Sequence, residues 1–172
     1  MRLFASAERE EIPSILNAAE ALTGDYFRLS SFDPAVFPYD VATTAERSAE
    51  EEVPEGCFAR ICKYARDPRP ERRDPKLSHF YRILLDDGQI LAEAARSSLS
   101  LRPLLLYVLT HELVHLVRFV RDRTPFEPYP HRRSEEETLV TRHTHGILKR
   151  HRAPGLEAVL GRFALPELPE GR

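Results

Sequence analysis

The residues best suited to chemistry are two histidines and a glutamate in the segment HELVH, which runs from His111 to His115. In a helix, residues four positions apart lie one turn above each other, so these two rings would share one face, about 6 Å apart at Cβ. Two imidazoles placed in this way can bind one metal ion. Zinc accepts neutral imidazole, and catalytic zinc sites add a third protein ligand and leave a fourth position for water. The spacing therefore predicts a zinc site that includes His111 and His115.

Glu112 follows the first histidine and is offset from it around the helix by about 100°. It need not bind the metal, but it can reach water held there. A zinc ion lowers the pKa of its water towards about 7, and a nearby carboxylate can accept the proton as the water attacks a carbonyl. Glu112 is therefore the predicted general base of a hydrolytic reaction.

The helix that must carry these residues has clear limits. Ser98 or Ser100 can cap its start, Pro103 fits its first turn, and the periodic pattern continues to Val120. The helix is apolar on nearly all sides, which predicts a central position in the core. Histidines and a glutamate buried in such a helix would each need a partner, and one ion satisfies both rings.

The segment VLTHELVHLV, from Val108 to Val117, has no charge outside the motif. It resembles the zincin metallopeptidases, whose extended signature has uncharged residues around HExxH and Val or Thr three positions before the first histidine, where Val108 stands. The resemblance covers about ten residues firmly. It implies a zinc peptidase with a zincin-like fold, in which Glu112 is the general base.

The resemblance also bears on the third ligand. The metzincin branch would place glycine three residues after His115 and histidine six after it, but Arg118 and Arg121 occupy those positions, which excludes it. Gluzincin-type enzymes instead supply a glutamate from a later helix. Candidates for that role are Glu135 to Glu137, at the start of a later predicted helix.

Helical geometry ranks these three glutamates. The apolar side of their helix is defined by Leu139, Val140, Ile147 and Leu148. Glu136 falls nearest the centre of that side, Glu137 lies near its edge, and Glu135 points away. Glu136 is therefore the predicted third ligand. The alternative is that these acids only form the first turn of a helix capped by Ser134, where carboxylates favour the helix dipole.

His143 lies two turns beyond Glu136 on the same predicted face. It could hydrogen-bond a substrate oxyanion or orient a ligand, although a role as a core histidine fits the sequence equally well. Tyr129 and His131, in the preceding loop, are weaker candidates for transition-state stabilisation. The remaining histidines are expected at the surface: His79, His145 and His151.

The other segments predict an α+β fold that is mainly helical, with a short β-sheet beside the HELVH helix. A helix with Pro13 in its first turn should end near Gly24. The segment from His79 to Leu85 is typical of a strand, and residues 86–88 have the composition of a turn.

Residues 57–65 fit a strand or a helix, with helix slightly favoured. Residues 67–76 are the clearest loop and a candidate lid. Helices are also predicted from Ser134 to Arg150 and from Leu156 to Phe163.

Length and composition favour one domain over residues 1–172, with a flexible tail at about 164–172. The net charge of −2 gives no reason to expect nucleic acid as a partner. The longest apolar stretch is shorter than the roughly 20 residues that span a bilayer, so no membrane partner is expected either. Cys57 and Cys62 match no metal or redox spacing, so the two cysteines are expected to be buried thiols. The N-terminus lacks a secretory pattern, which together with the free cysteines predicts a cytoplasmic protein.

Together these features predict a zinc-dependent metallohydrolase, most simply a metallopeptidase that acts on peptide or protein substrates. Its metal ligands would be His111, His115 and Glu136, and its catalytic residues Glu112 and His143. The alternative is a regulatory or protein-binding module that is stabilised by zinc and has no catalytic activity. The sequence leaves the oligomeric state open.

Overall fold

The computed structural model describes residues 1–65, 79–126 and 130–165, with only the backbone of 130 and 131. Five helices and three strands lie in this part of the chain, which confirms the α+β class. In chain order they are α1 (Ser6–Phe27), β1 (Tyr39–Ala42), β2 (Ala59–Ala65), β3 (His79–Leu85), α2 (Asp87–Arg96), α3 (Leu101–Val120), α4 (Pro130–Leu148) and α5 (Leu156–Arg162).

Helix α3 lies at the centre of the fold, as its nearly unbroken apolar sequence predicts. Ser100 is at its N-cap position, Pro103 is in its first turn, and residues 103–110 are all buried. It contacts α1, α2, α4, α5 and β2, so its apolar surface packs against protein on all these sides. The helix is long and apolar enough to cross a bilayer, but 72% of its most apolar window is buried inside the fold. The core helix of a globular fold has the same character.

The sheet supports one side of this helix. Its strand order is β1-β3-β2, with β1 parallel and β2 antiparallel to β3. Strand β3 directs Tyr81, Ile83 and Leu85 into the hydrophobic core. On the other face, Arg82 forms a bidentate ion pair with Asp40 of β1, with both N–O distances 2.8 Å. The predicted strand at His79 to Leu85 is thus confirmed as the central strand, and β1 and β2 are the two edge strands of the described sheet.

One local preference around the sheet is wrong, and one open alternative is decided. Residues 59–65 form β2 rather than the slightly favoured helix, because they pair with β3. The segment from Ile90 to Ala95, which the sequence allows either to pair with β3 or to begin a helix, lies in α2. The Asp86 side chain accepts a hydrogen bond from the Gln89 N–H at 2.9 Å and caps α2. The predicted loop at 67–76 lies outside the described residues, as do residues 166–172 of the predicted tail.

Helix ends also differ from the sequence prediction. Pro13 and Gly24 both lie inside α1, which continues to Phe27 and ends at Arg28 in a left-handed conformation (φ 56°). Helix α4 begins at Pro130, a turn before the predicted cap Ser134, and ends at Leu148. The glutamates at 135–137 are therefore inside a helix already formed, and not in its first turn. This difference affects the direction in which each of them points.

Candidate metal centre

The two histidines of the HELVH segment lie side by side on α3. Their ring centroids are 5.1 Å apart, and both side chains are largely buried. The four-residue spacing continues in both directions, since Tyr107 stacks near His111 and Phe119 stacks near His115. Rings at four successive turns therefore form one column along α3. The aromatic neighbours hold both imidazoles on the predicted common face.

Glu137 of α4 completes a cluster with these rings. Its Oε2 lies 3.3 Å from His111 Nε2, and its Oε1 lies 3.1 Å from His115 Nε2. The three candidate ligand atoms are all within 4.8 Å of one another. Burial by itself would raise the pKa of Glu137, but hydrogen bonds and charge interactions with both histidines lower it well below its ordinary value. The carboxylate is therefore held in its ionised form beside two Nε2 atoms.

The prediction that Glu136 is the third ligand does not agree with this geometry. Its carboxylate forms a bidentate ion pair with Arg118, with distances of 2.5 and 2.8 Å to Nε and Nη2. The ranking by burial was right in one respect, since the Glu136 side chain is 12% exposed and that of Glu137 is 53% exposed. Burial did not indicate the partner, because Arg118 lies beside Glu136 and compensates its charge. The residue nearer the edge of the apolar side, Glu137, faces the histidines.

The donor set fits a zinc ion. Two imidazoles and one carboxylate are a ligand set of known catalytic zinc sites. The Nδ1 atoms of His111 and His115 are buried and have no hydrogen-bond partner among the described residues. A histidine that ligates a metal normally donates its other ring nitrogen to an acceptor, so the unpaired Nδ1 atoms do not by themselves argue for a metal. The support comes from the two Nε2 atoms, which both face Glu137 and are the nitrogens that a metal at this cluster would meet.

Glu112 lies next to this cluster and is only 9% exposed. No hydrogen bond or ion pair joins its carboxyl group to another described residue. Burial is the main cause that raises its pKa to about 7; His111 opposes the shift and Glu137 adds to it. A divalent cation beside it would lower this pKa again and favour the ionised form. The carboxyl group is therefore unpaired beside the candidate metal ligands.

The cluster opens into a cavity of about 610 Å³. Its lining comes from β2 and the segment before it, from α3 and from the first part of α4. Glu112, His111, His115 and Glu137 all line it. Aromatic side chains lie at its two ends, with Tyr107 and Phe163 at one and Phe119 and Phe126 at the other.

His143, which the sequence predicts as a second catalytic residue or a core histidine, does not line this cavity. Its Nδ1 lies 3.0 Å from the Tyr26 hydroxyl, and its ring packs against Tyr26 and Phe27 of α1. Burial lowers its pKa, with a further contribution from the Arg118 cation. The sequence placed His143 and the glutamates on one face of α4, but the later turns of this helix pack against α1 while Glu137 faces α3. His143 is therefore a packing residue between α4 and α1.

The other candidates are placed as follows. His145 is half-buried and its Nε2 lies 2.7 Å from the Phe163 carbonyl oxygen, so it is not a simple surface residue. Tyr129 and the side chain of His131 lie outside the described residues. Cys57 is exposed, contrary to the prediction of a buried thiol, and lines the cavity. Partial burial and the negative charges of Glu112 and Glu137 raise its pKa.

The sequence reasoning missed the walls of the cavity and the role of Arg118. The aromatic residues at 58, 107, 119 and 163 are distant in sequence, and no local period relates them. Arg118 did carry a signal, because an arginine one turn after His115 on a buried helix must find an acidic partner. That requirement could have assigned one of the three glutamates to Arg118.

Comparison with known proteins gives no match: no family model, no curated protein and no solved structure is significantly similar to this chain. The arguments for its function therefore come from the geometry described above.

Proposed function

We propose that this chain is a zinc-dependent peptidase in which His111, His115 and Glu137 hold the metal and Glu112 is the general base. The observation that carries the proposal is the convergence of three candidate ligand atoms from two helices within 4.8 Å, beside a glutamate whose carboxyl group is paired with no other described residue. The motif and a glutamate from a later helix follow the gluzincin pattern, so a zincin-like fold remains part of the proposal. A cytoplasmic location is also proposed, and it is supported only by the free thiols of Cys57 and Cys62.

The bound zinc ion would lower the pKa of a coordinated water and polarise the substrate carbonyl. The chain's own residues would do the rest. Glu112 accepts a proton from the attacking water at a carboxylate oxygen and passes it to the nitrogen of the leaving amine. Amide hydrolysis therefore needs only one acid–base residue here, and His143 is not required.

The edge strand β2 supports a peptide as the substrate. In an antiparallel pair, hydrogen-bonded and non-hydrogen-bonded residues alternate. The Asp86 N–H donates to the Phe58 carbonyl at 2.8 Å, so the next residue, Ala59, directs its backbone N–H and C=O away from β3. The same holds for Ile61, and both residues line the cavity. An extended peptide could add to this edge and lie across the metal ligands.

The aromatic residues at the two ends of the cavity support the same class of substrate. Tyr107 and Phe163 are stacked with centroids 4.9 Å apart, and Phe119 and Phe126 meet edge to face at 5.2 Å. The candidate ligands lie between these two groups on the α3 column. A peptide that runs along β2 would therefore have apolar surface on both sides of the bond to be cut, which favours cleavage within a chain.

A second function is favoured by one observation. His111 and His115 belong to α3 and Glu137 to α4, so an ion at this site would link two helices. A module that uses zinc only for stability would have the same ligands but would not depend on Glu112. The two functions differ in the expected behaviour of a Glu112 variant.

The decisive experiment compares wild type with Glu112→Gln for zinc content and for cleavage of a peptide library, followed by mass spectrometry. We expect Glu112→Gln to keep its zinc and to lose activity by at least about 100-fold, since proton transfer contributes that much. The matched control is Glu135→Gln, which removes an exposed carboxylate from α4 and should change neither property.

Retained zinc with unchanged cleavage in Glu112→Gln would contradict the assigned mechanism. Zinc binding without any cleavage by wild type, together with unfolding of His111→Ala, would favour the structural module.

A further inference from the structure

The ion pair between Arg118 and Glu136 lies beside the candidate ligands, on the same two helices. Arg118 is three residues after His115 on α3, and Glu136 immediately precedes Glu137 on α4. Both charged side chains are largely buried, at 15% and 12% exposure. Successive residues of a helix diverge by about 100°. Fixing Glu136 against Arg118 therefore also fixes the direction in which Glu137 leaves α4.

The first part of α4 has little else to hold it. Of the described side chains from residue 132 onwards, the first in the hydrophobic core is Val140, followed by Ile147 and Leu148. Residues 132–135 are exposed, and the Glu137 side chain is about half exposed. The two strong contacts of this segment with α3 are thus the Arg118–Glu136 pair and the Glu137 cluster. A metal at the site would replace the direct contacts between Glu137 and the histidines by ligation, whereas the Arg118–Glu136 pair needs no metal.

We propose that Arg118 and Glu136 are positioning residues that set the metal affinity of the His111, His115 and Glu137 site. The inference rests on the proposed metal site but not on catalysis. A bidentate guanidinium–carboxylate pair has fixed geometry and allows little rotation of α4. Residues that orient metal ligands without touching the metal typically change affinity by about 10- to 100-fold when substituted. The pair would act on the metal entirely through Glu137.

The test measures zinc affinity by competition with a chromophoric chelator, together with unfolding in EDTA. Glu136→Gln should weaken zinc binding by about 10-fold although every ligand remains. The charge-swapped variant, Arg118→Glu with Glu136→Arg, should recover most of the lost zinc affinity. If Glu136→Gln fails to fold, the zinc affinity of the charge-swapped variant still tests the inference. The absorption spectrum of bound Co²⁺ should change in Glu136→Gln towards that of Glu137→Ala, which a purely structural role would not produce.

The matched control is Asp40→Asn, which breaks the bidentate pair with Arg82 on the far face of the sheet. It should lower stability in EDTA and leave zinc affinity and the Co²⁺ spectrum as in wild type. Equal zinc affinity of folded Glu136→Gln and wild type would overturn this inference alone. Failure of wild type to bind zinc would instead overturn the proposed function, and the inference with it.

Discussion

The two helices that meet at the candidate metal centre hold their ligands in different ways. On α3, His111 and His115 sit among core residues, and the four residues that follow Glu112 are all fully or nine-tenths buried. On α4, Glu137 projects from a segment whose charged side chains lie mostly at the surface. The first pair of ligands is fixed by packing, while the third depends on an ion pair and on the site itself.

This difference suggests that the two helices have different roles at the site. Helix α3 presents two candidate ligands whose relative position is set by the helix backbone and by core packing. Helix α4, which is held more loosely in its first part, presents the third candidate ligand and would adjust when the site is filled. Local opening is cheapest where few apolar contacts exist. The first part of α4 is therefore the region whose behaviour should depend on the metal.

Core substitutions should show the largest contrast between the two helices. Leu113 of α3 is fully buried, while Leu139 of α4 is only partly buried. Leu113→Ala should lower the free energy of unfolding by about 3 kcal/mol, within the range for core leucines. Leu139→Ala should cost less than about 1 kcal/mol, as is common outside the core. Urea denaturation in EDTA measures both, and equal losses would remove the proposed contrast.

The sequence predicted α3 well because every relevant signal was local. Spacing placed both histidines on one face, and the apolar run placed that face in the core. The strand at His79 to Leu85 was equally local, with alternating core positions. The structure confirms the strand and the helix, and it places His111, Glu112 and His115 in one cavity.

The choice between Glu136 and Glu137 needed information that periodicity does not contain. An apolar stripe tells which side of α4 is buried, but not which buried neighbour each turn meets. Glu136 meets Arg118 and Glu137 meets the histidines because of how α4 crosses α3. His143 was misplaced for the same reason, since its turn meets Tyr26 of α1. Contacts between helices decided each of these cases.

Adding zinc should affect the two helices unequally. A metal at 100 times its dissociation constant stabilises the folded state by about 2.7 kcal/mol. Hydrogen exchange of backbone amides should slow most in residues 132–139 of α4, because α3 is already protected by its burial. His115→Ala is the control and should abolish the effect. Uniform slowing across both helices would argue that α4 is as firmly held as α3 before zinc binds.

The smallest expected effect is on the pH dependence of stability, and it comes from His143, where α4 packs on α1. Burial is the main cause that lowers the pKa of His143, and the cations of Arg118 and Arg142 contribute. Asp122 and Glu136 oppose the shift, and Tyr26 shares a hydrogen bond with the ring. The net result is a neutral ring that resists protonation in the folded state.

The sign of the pH dependence follows from this lowered pKa. The unfolded chain binds a proton at His143 more readily than the folded chain, so this histidine contributes full stability above its unfolded pKa of about 6.5. That contribution is lost as the pH falls from there through the lower folded pKa.

His143→Gln can keep a hydrogen bond to Tyr26 but has no group that titrates in this range. The free energy of unfolding of this variant should therefore fall less than that of wild type between pH 7.5 and pH 5. Denaturation in EDTA at both pH values measures this, because the metal site then makes no pH-dependent contribution through zinc. A difference between wild type and variant that stays the same at both pH values would mean that the folded chain protonates His143 as readily as the unfolded chain does.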